Sequence, residues 1–142
     1  MSQLNRSFLF VYLYILTIFY KPLFLRATFP KQQKLKSSKD IKSLFEDGSS
    51  ITKYPIKLLW LPGAHPQTKA GFAVAKRNFK SAVTRNKIKR LMREAYRTEK
   101  KEIIGQNKMV FNLLFIYIGK DVADFKTIDK AMQVGLLKLP VS

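Results

Sequence analysis

The sequence predicts a single α+β domain with the element order α-β-β-α-β-α and no internal repeat. Three observations predict it. Residues 82–101 place their apolar side chains at helical spacing, with the opposite side polar. Met109–Ile118 is a nearly continuous apolar run of strand length, the pattern of a strand buried on both faces. Between these and the start of the domain lie two stretches rich in β-formers, separated by Pro62-Gly63. A length of 142 residues suits one domain at roughly 100–200 residues each.

The elements follow in order. Lys31-Gln32-Gln33-Lys34-Leu35-Lys36 is a basic approach segment. Ser37 or Ser38 caps a short helix through Ile41, Leu44 and Phe45, which ends at Asp47-Gly48. Ile51–Leu61 reads as a strand, with Ile56, Leu58 and Trp60 on one face and Lys57, Leu59 and Leu61 on the other. After a loop at Ala64–Thr68, Ala70–Ala75 is a second strand, expected to pair with the first across that loop. The long helix comes next, then the apolar strand, and Asp124 opens a last helix through Phe125, Ile128, Met132, Leu136 and Leu137.

The charge narrows the function. Lys+Arg total 27 against nine Asp+Glu, a net charge of +18. With 46% hydrophobic residues the chain folds, so this is no disordered basic tail. A folded domain that keeps so much like charge needs a polyanion: nucleic acid first, an anionic membrane surface second. Arg6, Lys21 and Arg26 belong to residues 1–26, leaving +15 on residues 27–142. That first segment is otherwise apolar from Phe8 to Tyr20, interrupted only by Thr17. As a helix it spans about 20 Å, short of a hydrocarbon core of about 30 Å, and no A-x-A-like cleavage site follows. Two readings stand for 1–26: a weak membrane-proximal anchor, or a stretch translated from a misplaced start. The folded domain is expected over 27–142.

An active site of the chain's own is not expected. With no cysteine there is no disulfide scaffold, thiolate zinc site or Cys nucleophile. The one histidine, His65, lies in a loop and reads as a solvated side chain with no base's partners nearby in sequence. The carboxylates fall near helix ends or on charged helix faces, where structure accounts for them. No phosphate-binding glycine loop, nucleophile elbow or HExxH occurs, and neither catalytic nor metal-ligating residues are assigned.

The long helix is different. Taking Arg85 as zero and 100° per residue, Arg85, Lys89, Arg93, Asn86, Arg97 and Arg90 fall within an arc of about 140°. Ile88, Leu91, Met92 and Ala95 fill the opposing side, with Tyr96 at the border. A solvated helix mixes signs, but Glu94 is the only acid from Arg85 to Arg97, and it lies off this face. Like charges at i,i+4 cost the free helix a few tenths of a kcal/mol each, a repulsion that a phosphate backbone relieves. Arginine's planar fork binds phosphate bidentately or stacks on a base. Single-stranded RNA is held by such cations with aromatic platforms. Phe45, Tyr54, Trp60 and Phe72 are the local aromatics, of which Trp60 and Phe72, on strands, are the better core candidates.

Ala82-Val83-Thr84-Arg85-Asn86-Lys87-Ile88-Lys89-Arg90-Leu91-Met92-Arg93-Glu94-Ala95-Tyr96-Arg97 resembles the signature helix of the protein subunit of bacterial ribonuclease P, AVxRN[RK]IKRxxRE. Gly71-Phe72-Ala73-Val74-Ala75-Lys76-Arg77 stands where that family has a strand ending in small and basic residues. Leu35 to Phe45 with Gly48 resembles its first helix and following glycine. The likeness covers residues 27–142. It implies a two-layer α-β-β-α-β-α sandwich with a left-handed βαβ crossover, like the second domain of ribosomal protein S5. It also implies a division of labour. The RNA subunit cleaves precursor tRNA with Mg²⁺ that RNA and substrate mainly hold. The protein, an accessory subunit of an RNA-based endoribonuclease, binds the single-stranded 5′ leader between its first helix and sheet.

Carried over by position, Arg85, Asn86, Lys89, Arg90, Arg93, Arg97, Lys76 and Arg77 bind RNA, and Ile41, Phe45 and Leu59 line the leader cleft. Many members have aromatics at the positions of Ile41 and Leu59, which leaves Phe45 as the stacking platform. The turn Asn78-Phe79-Lys80-Ser81 lacks the glycine many members have and is one residue longer. The implied partners are ribonuclease P RNA and the leader of precursor tRNA, with no obligatory membrane and no small-molecule cofactor, in the cytoplasm. The rival from composition alone is a general or ribosomal RNA-binding protein, with the same charge but no part in tRNA maturation. A membrane-anchored basic protein is the other.

Overall fold

The computed structural model describes residues 29–141, of which those from Lys31 on belong to one compact unit. The apolar stretch of residues 1–26, and with it the readings of an anchor or a misplaced start, lies outside the described residues.

The first helix, α1, spans Ser38–Asp47. Ser37 is its cap, the Asp40 N–H donating to Ser37 Oγ at 3.3 Å, and the Gly48 N–H closes the other end on Leu44 O. Two strands follow, β1 over Ser49–Lys53 and β2 over Ile56–Pro62, paired antiparallel with Ile51 opposite Leu58. They replace the single strand expected over Ile51–Leu61. Tyr54-Pro55 makes the turn, because Pro55 cannot donate to a ladder. Then come β3 (Lys69–Val74), the long helix α2 (Ala82–Ile103), β4 (Phe111–Tyr117) and α3 (Phe125–Leu137). Ser81 caps α2 and Asp124 caps α3, each through a side-chain oxygen that accepts a backbone N–H three residues on.

The sheet order is β1-β2-β4-β3. The expected pairing of the second stretch with the first is therefore corrected: β4 lies between β2 and β3, antiparallel to β2 and parallel to β3. The physical reason is burial. Phe111 to Phe115 are all buried, so both faces of β4 need cover, and only a central place supplies it. β3, α2 and β4 thus form the βαβ unit, in an α+β fold that has three α-helices and one four-stranded sheet among the described residues.

The alternation of the strands gives the sheet two cores. On one face Phe72 stacks on Phe115 with ring centroids 5.5 Å apart, and Tyr96 of α2 meets both rings. Ile88, Met92, Ile128, Met132 and Leu136 are buried on the core-facing sides of α2 and α3. Phe72 is half-buried against the core rings Phe115 and Tyr96, and Trp60 is likewise half-buried, edge-on to Phe111 at 5.8 Å. On the other face a smaller cluster of Leu35, Leu44, Leu59 and Leu114, joined by Ile41, Leu61, Ala73 and Ile116, seats α1. Leu35 reaches it because its N–H donates to Ala70 O at 3.0 Å and Gly71 has no Cβ to block it. Among the described residues no helix is long and apolar enough to cross a membrane.

Candidate nucleic-acid interface

Helix α2 presents the cations. Ile88, Met92, Ala95 and Tyr96 are buried, which fixes the roll of the helix and turns Asn86, Arg90 and Arg93 outward, with Arg85 and Lys89 half-buried at the edge. Tyr96, expected at the border, is inside, and burial pushes its phenol well above the ordinary tyrosine range. Among the described residues Lys89, Arg90 and Arg93 make no ion pair with the protein, so the outward face is cationic in fact as well as in pattern.

Two arginines of the set are already engaged. Arg85 Nη1 donates to Phe79 O at 2.7 Å and to Lys80 O at 2.8 Å, holding the turn that leads into the helix. Arg97 forms a fork with Glu94, at 2.6 Å from Nη2 and 3.2 Å from Nε. Glu94 was expected off the basic face, but three residues along a helix suffice for its carboxylate to reach round. That hydrogen bond raises the Arg97 pKa against the opposing effect of burial. Lys76 and Arg77 are exposed in the turn between β3 and α2, at the same end of the helix as Arg85.

The three residues expected to line a cleft lie in two environments. Ile41 and Leu59 meet in the cluster under α1, where Leu59 is only 7% exposed and so serves as the floor that seats the helix. Phe45, 63% exposed, stands on the outer side of α1. α1 is also held at its start: His65 Nε2 lies 3.2 Å from Asp40 Oδ2, so His65 is an anchor of the β2–β3 loop and not the freely solvated side chain expected.

Elsewhere the electrostatics are structural. Glu99 is raised by burial and by the neighbouring carboxylates of Asp129 and Glu102. Burial raises Tyr117, whose hydroxyl accepts the Ala123 N–H at 2.9 Å and donates to Asp121 O. Among the described residues no three His, Asp or Glu side chains come together as a metal site. No chemical step is assigned to a metal held by the protein.

The family described as Ribonuclease P matches residues 29–139. The chain belongs to the ribonuclease P protein family. A ribonuclease P protein component from Porphyromonas gingivalis is 30% identical over 115 residues, covering 77% of this chain and 84% of the relative. One from Caldanaerobacter subterraneus is 29% identical over 113 residues, covering 78% and 92%. The solved ribonuclease P protein of Thermotoga maritima superposes with a TM-score of 0.64 at 23% identity, over 75% of this chain and 97% of that one. That of Staphylococcus aureus gives 0.62 at 22% identity, over 73% and 92%. At such identities the structures attest the fold. Membership of the ribonuclease P family implies an RNA partner, and ranks the chain with the protein components of an endoribonuclease. Sequence reasoning stopped at Arg97, although Lys100 falls in the same helical arc and lies half-buried beside Gln33. Carrying the wheel one turn further would have found it.

Proposed function

We propose that this chain is the protein component of ribonuclease P, binding the 5′ leader of precursor tRNA while the RNA subunit removes it endonucleolytically. The observation that carries the reading is the outward pair Arg90 and Arg93 with Lys89 at their edge, cations that make no ion pair among the described residues, on the signature helix of this family. The protein acts as an accessory subunit. It adds binding energy on a part of the substrate remote from the scissile phosphate, and Asn86, Lys89, Arg90 and Arg93 neutralise phosphate charge together with Lys76 and Arg77. Arg85 contributes from the helix start and Arg97 once it leaves Glu94. Phe45 offers the exposed ring on which a leader base stacks, and Ile41 and Leu59 line the cleft with it. Mg²⁺ belongs to the RNA and the substrate, and the site of action is the cytoplasm.

Neutralising phosphates lowers the demand for Mg²⁺, which sets the test. Precursor-tRNA cleavage by bacterial ribonuclease P RNA is measured at low Mg²⁺ with and without the purified full-length chain. Cleavage restored by the protein is the expected result. A folded protein that binds RNA yet leaves cleavage unchanged would make it a general RNA-binding protein instead.

A further inference from the structure

Past Arg97 the basic arc of α2 runs on to a recess that the function above does not use. Lys100 lies about 60° from Arg85 around the helix, inside the arc and beyond the signature. With Lys101, Tyr96 and Ile104 it walls one side of an open recess of about 230 Å³. Gln33, from the 3₁₀ turn Lys31–Gln33, and Gln67, from the β2–β3 loop, wall the other. The polar groups form a row. The Lys100 ammonium donates to Gln33 Oε1, and Gln33 Nε2 donates to Gln67 Oε1 at 3.5 Å.

Positive charge is crowded here. Burial, then the charges of Arg97 and Lys101, hold the Lys100 ammonium below the ordinary lysine range. An anion relieves that crowding. The recess is smaller than the roughly 300–1,000 Å³ that swallows a drug-sized ligand, and suits a single base. Glutamine amides both donate and accept, as a base edge requires.

We propose that the recess between the C-terminal part of α2 and the Lys31–Gln33 turn takes one nucleotide of single-stranded RNA, its base on Gln33 and Gln67 and its phosphate on Lys100 and Lys101. The proposal rests on the RNA-binding function above but on none of the residues assigned there. The nucleotide comes from the leader or from the RNA subunit, and the test separates them. Full-length protein is titrated with a leader oligonucleotide and, separately, with ribonuclease P RNA at several salt concentrations. The double variant Lys100→Gln, Lys101→Gln flattens the dependence of log K on log salt by about 0.7 per phosphate lost, on whichever RNA supplies the nucleotide. Gln67→Ala weakens the same RNA about fivefold at unchanged slope, since it removes a hydrogen bond and no charge. Because the chain lacks cysteine, a Lys101→Cys variant carries a photoreactive label at one place, and its cross-links fall on one short stretch of that RNA. Affinity and slope equal to the unsubstituted protein on both RNAs, or cross-links scattered along them, overturn the site. If the unsubstituted protein binds neither RNA, the function proposed above falls first, and an Arg93→Gln loss with normal recess variants leaves that function standing and removes only this site.

Discussion

Arg85 spends its hydrogen bonds inside the protein, on Phe79 O and Lys80 O, while Arg93, two turns along the same helix, is exposed and makes no ion pair among the described residues. Their substitutions therefore separate stability from binding. Arg85→Gln loses charge-assisted bonds to two carbonyls and costs about 1–2 kcal/mol, several degrees in Tm, in addition to any RNA contact. Arg93→Gln leaves the melting temperature unchanged, weakens leader binding for all sequences alike, and flattens the salt dependence by about 0.7. Thermal melts and titrations on leaders of two sequences check both, and a loss confined to one leader would remove Arg93 from the phosphate contacts. Phe45 is argued the same way. At 63% exposure its truncation barely moves stability, but Phe45→Ala costs about 1–3 kcal/mol of leader affinity where a base stacks on the ring. Normal binding with easier unfolding would make Phe45 a packing residue. The cations of α2 were legible in sequence because a helix's periodicity states which side faces out, whereas Phe45 was singled out only by the family resemblance. The engagement of Arg85 was not legible, since its acceptors belong to a turn whose path depends on where β3 ends.

Elements were legible where a local signal sets them. Ser37 and Asp124 cap the helices they were expected to open, and α1, α2 and α3 begin and end within a few residues of the places those caps and the periodicity indicate. The strands were harder. Alternation reads each face correctly but not the partner: sequence neighbours favour a β2–β3 hairpin, whereas two-sided burial drives β4 between them. Pro55 inside an apparent strand was the overlooked sign of the β1–β2 turn. The cap of α3 also carries a pH dependence. The Thr127 hydroxyl first, and then the Thr127 N–H, which donates to Asp124 Oδ1 at 3.0 Å, hold the carboxyl below its ordinary range. A carboxyl depressed in the folded state stabilises above its unfolded pKa, and that stabilisation is lost as the pH falls through the folded one. Asn caps equally well but does not titrate. Denaturant unfolding of the native chain and of Asp124→Asn from pH 7 to pH 3 is therefore expected to show a difference that shifts against the native chain on the acid side. A difference independent of pH would show that the charge of Asp124 contributes nothing to the cap.

At the scale of the molecule, the two faces of the sheet carry unequal duties. The face under α2 and α3 holds the stacked aromatics and most of the buried side chains. The other face holds a small leucine cluster, and through it, with the His65–Asp40 contact, the sheet positions α1 and hence Phe45. Stability and leader geometry should then couple on one face and separate on the other. Leu44 and Met132 are both fully buried, one in each core. Either change to Ala costs about 2–5 kcal/mol by lost transfer energy and the cavity left behind. Leu44→Ala also loosens the seat of α1, so leader affinity falls even well below the melting temperature. Met132→Ala leaves the α1 cluster intact, so once both proteins are fully folded its leader affinity matches that of the native chain. Melting curves, with titrations made at a temperature where each variant is folded, decide it. Equal losses of affinity would mean that the two cores respond as one body, and that α1 is held by the whole sheet and not by the leucines beneath it.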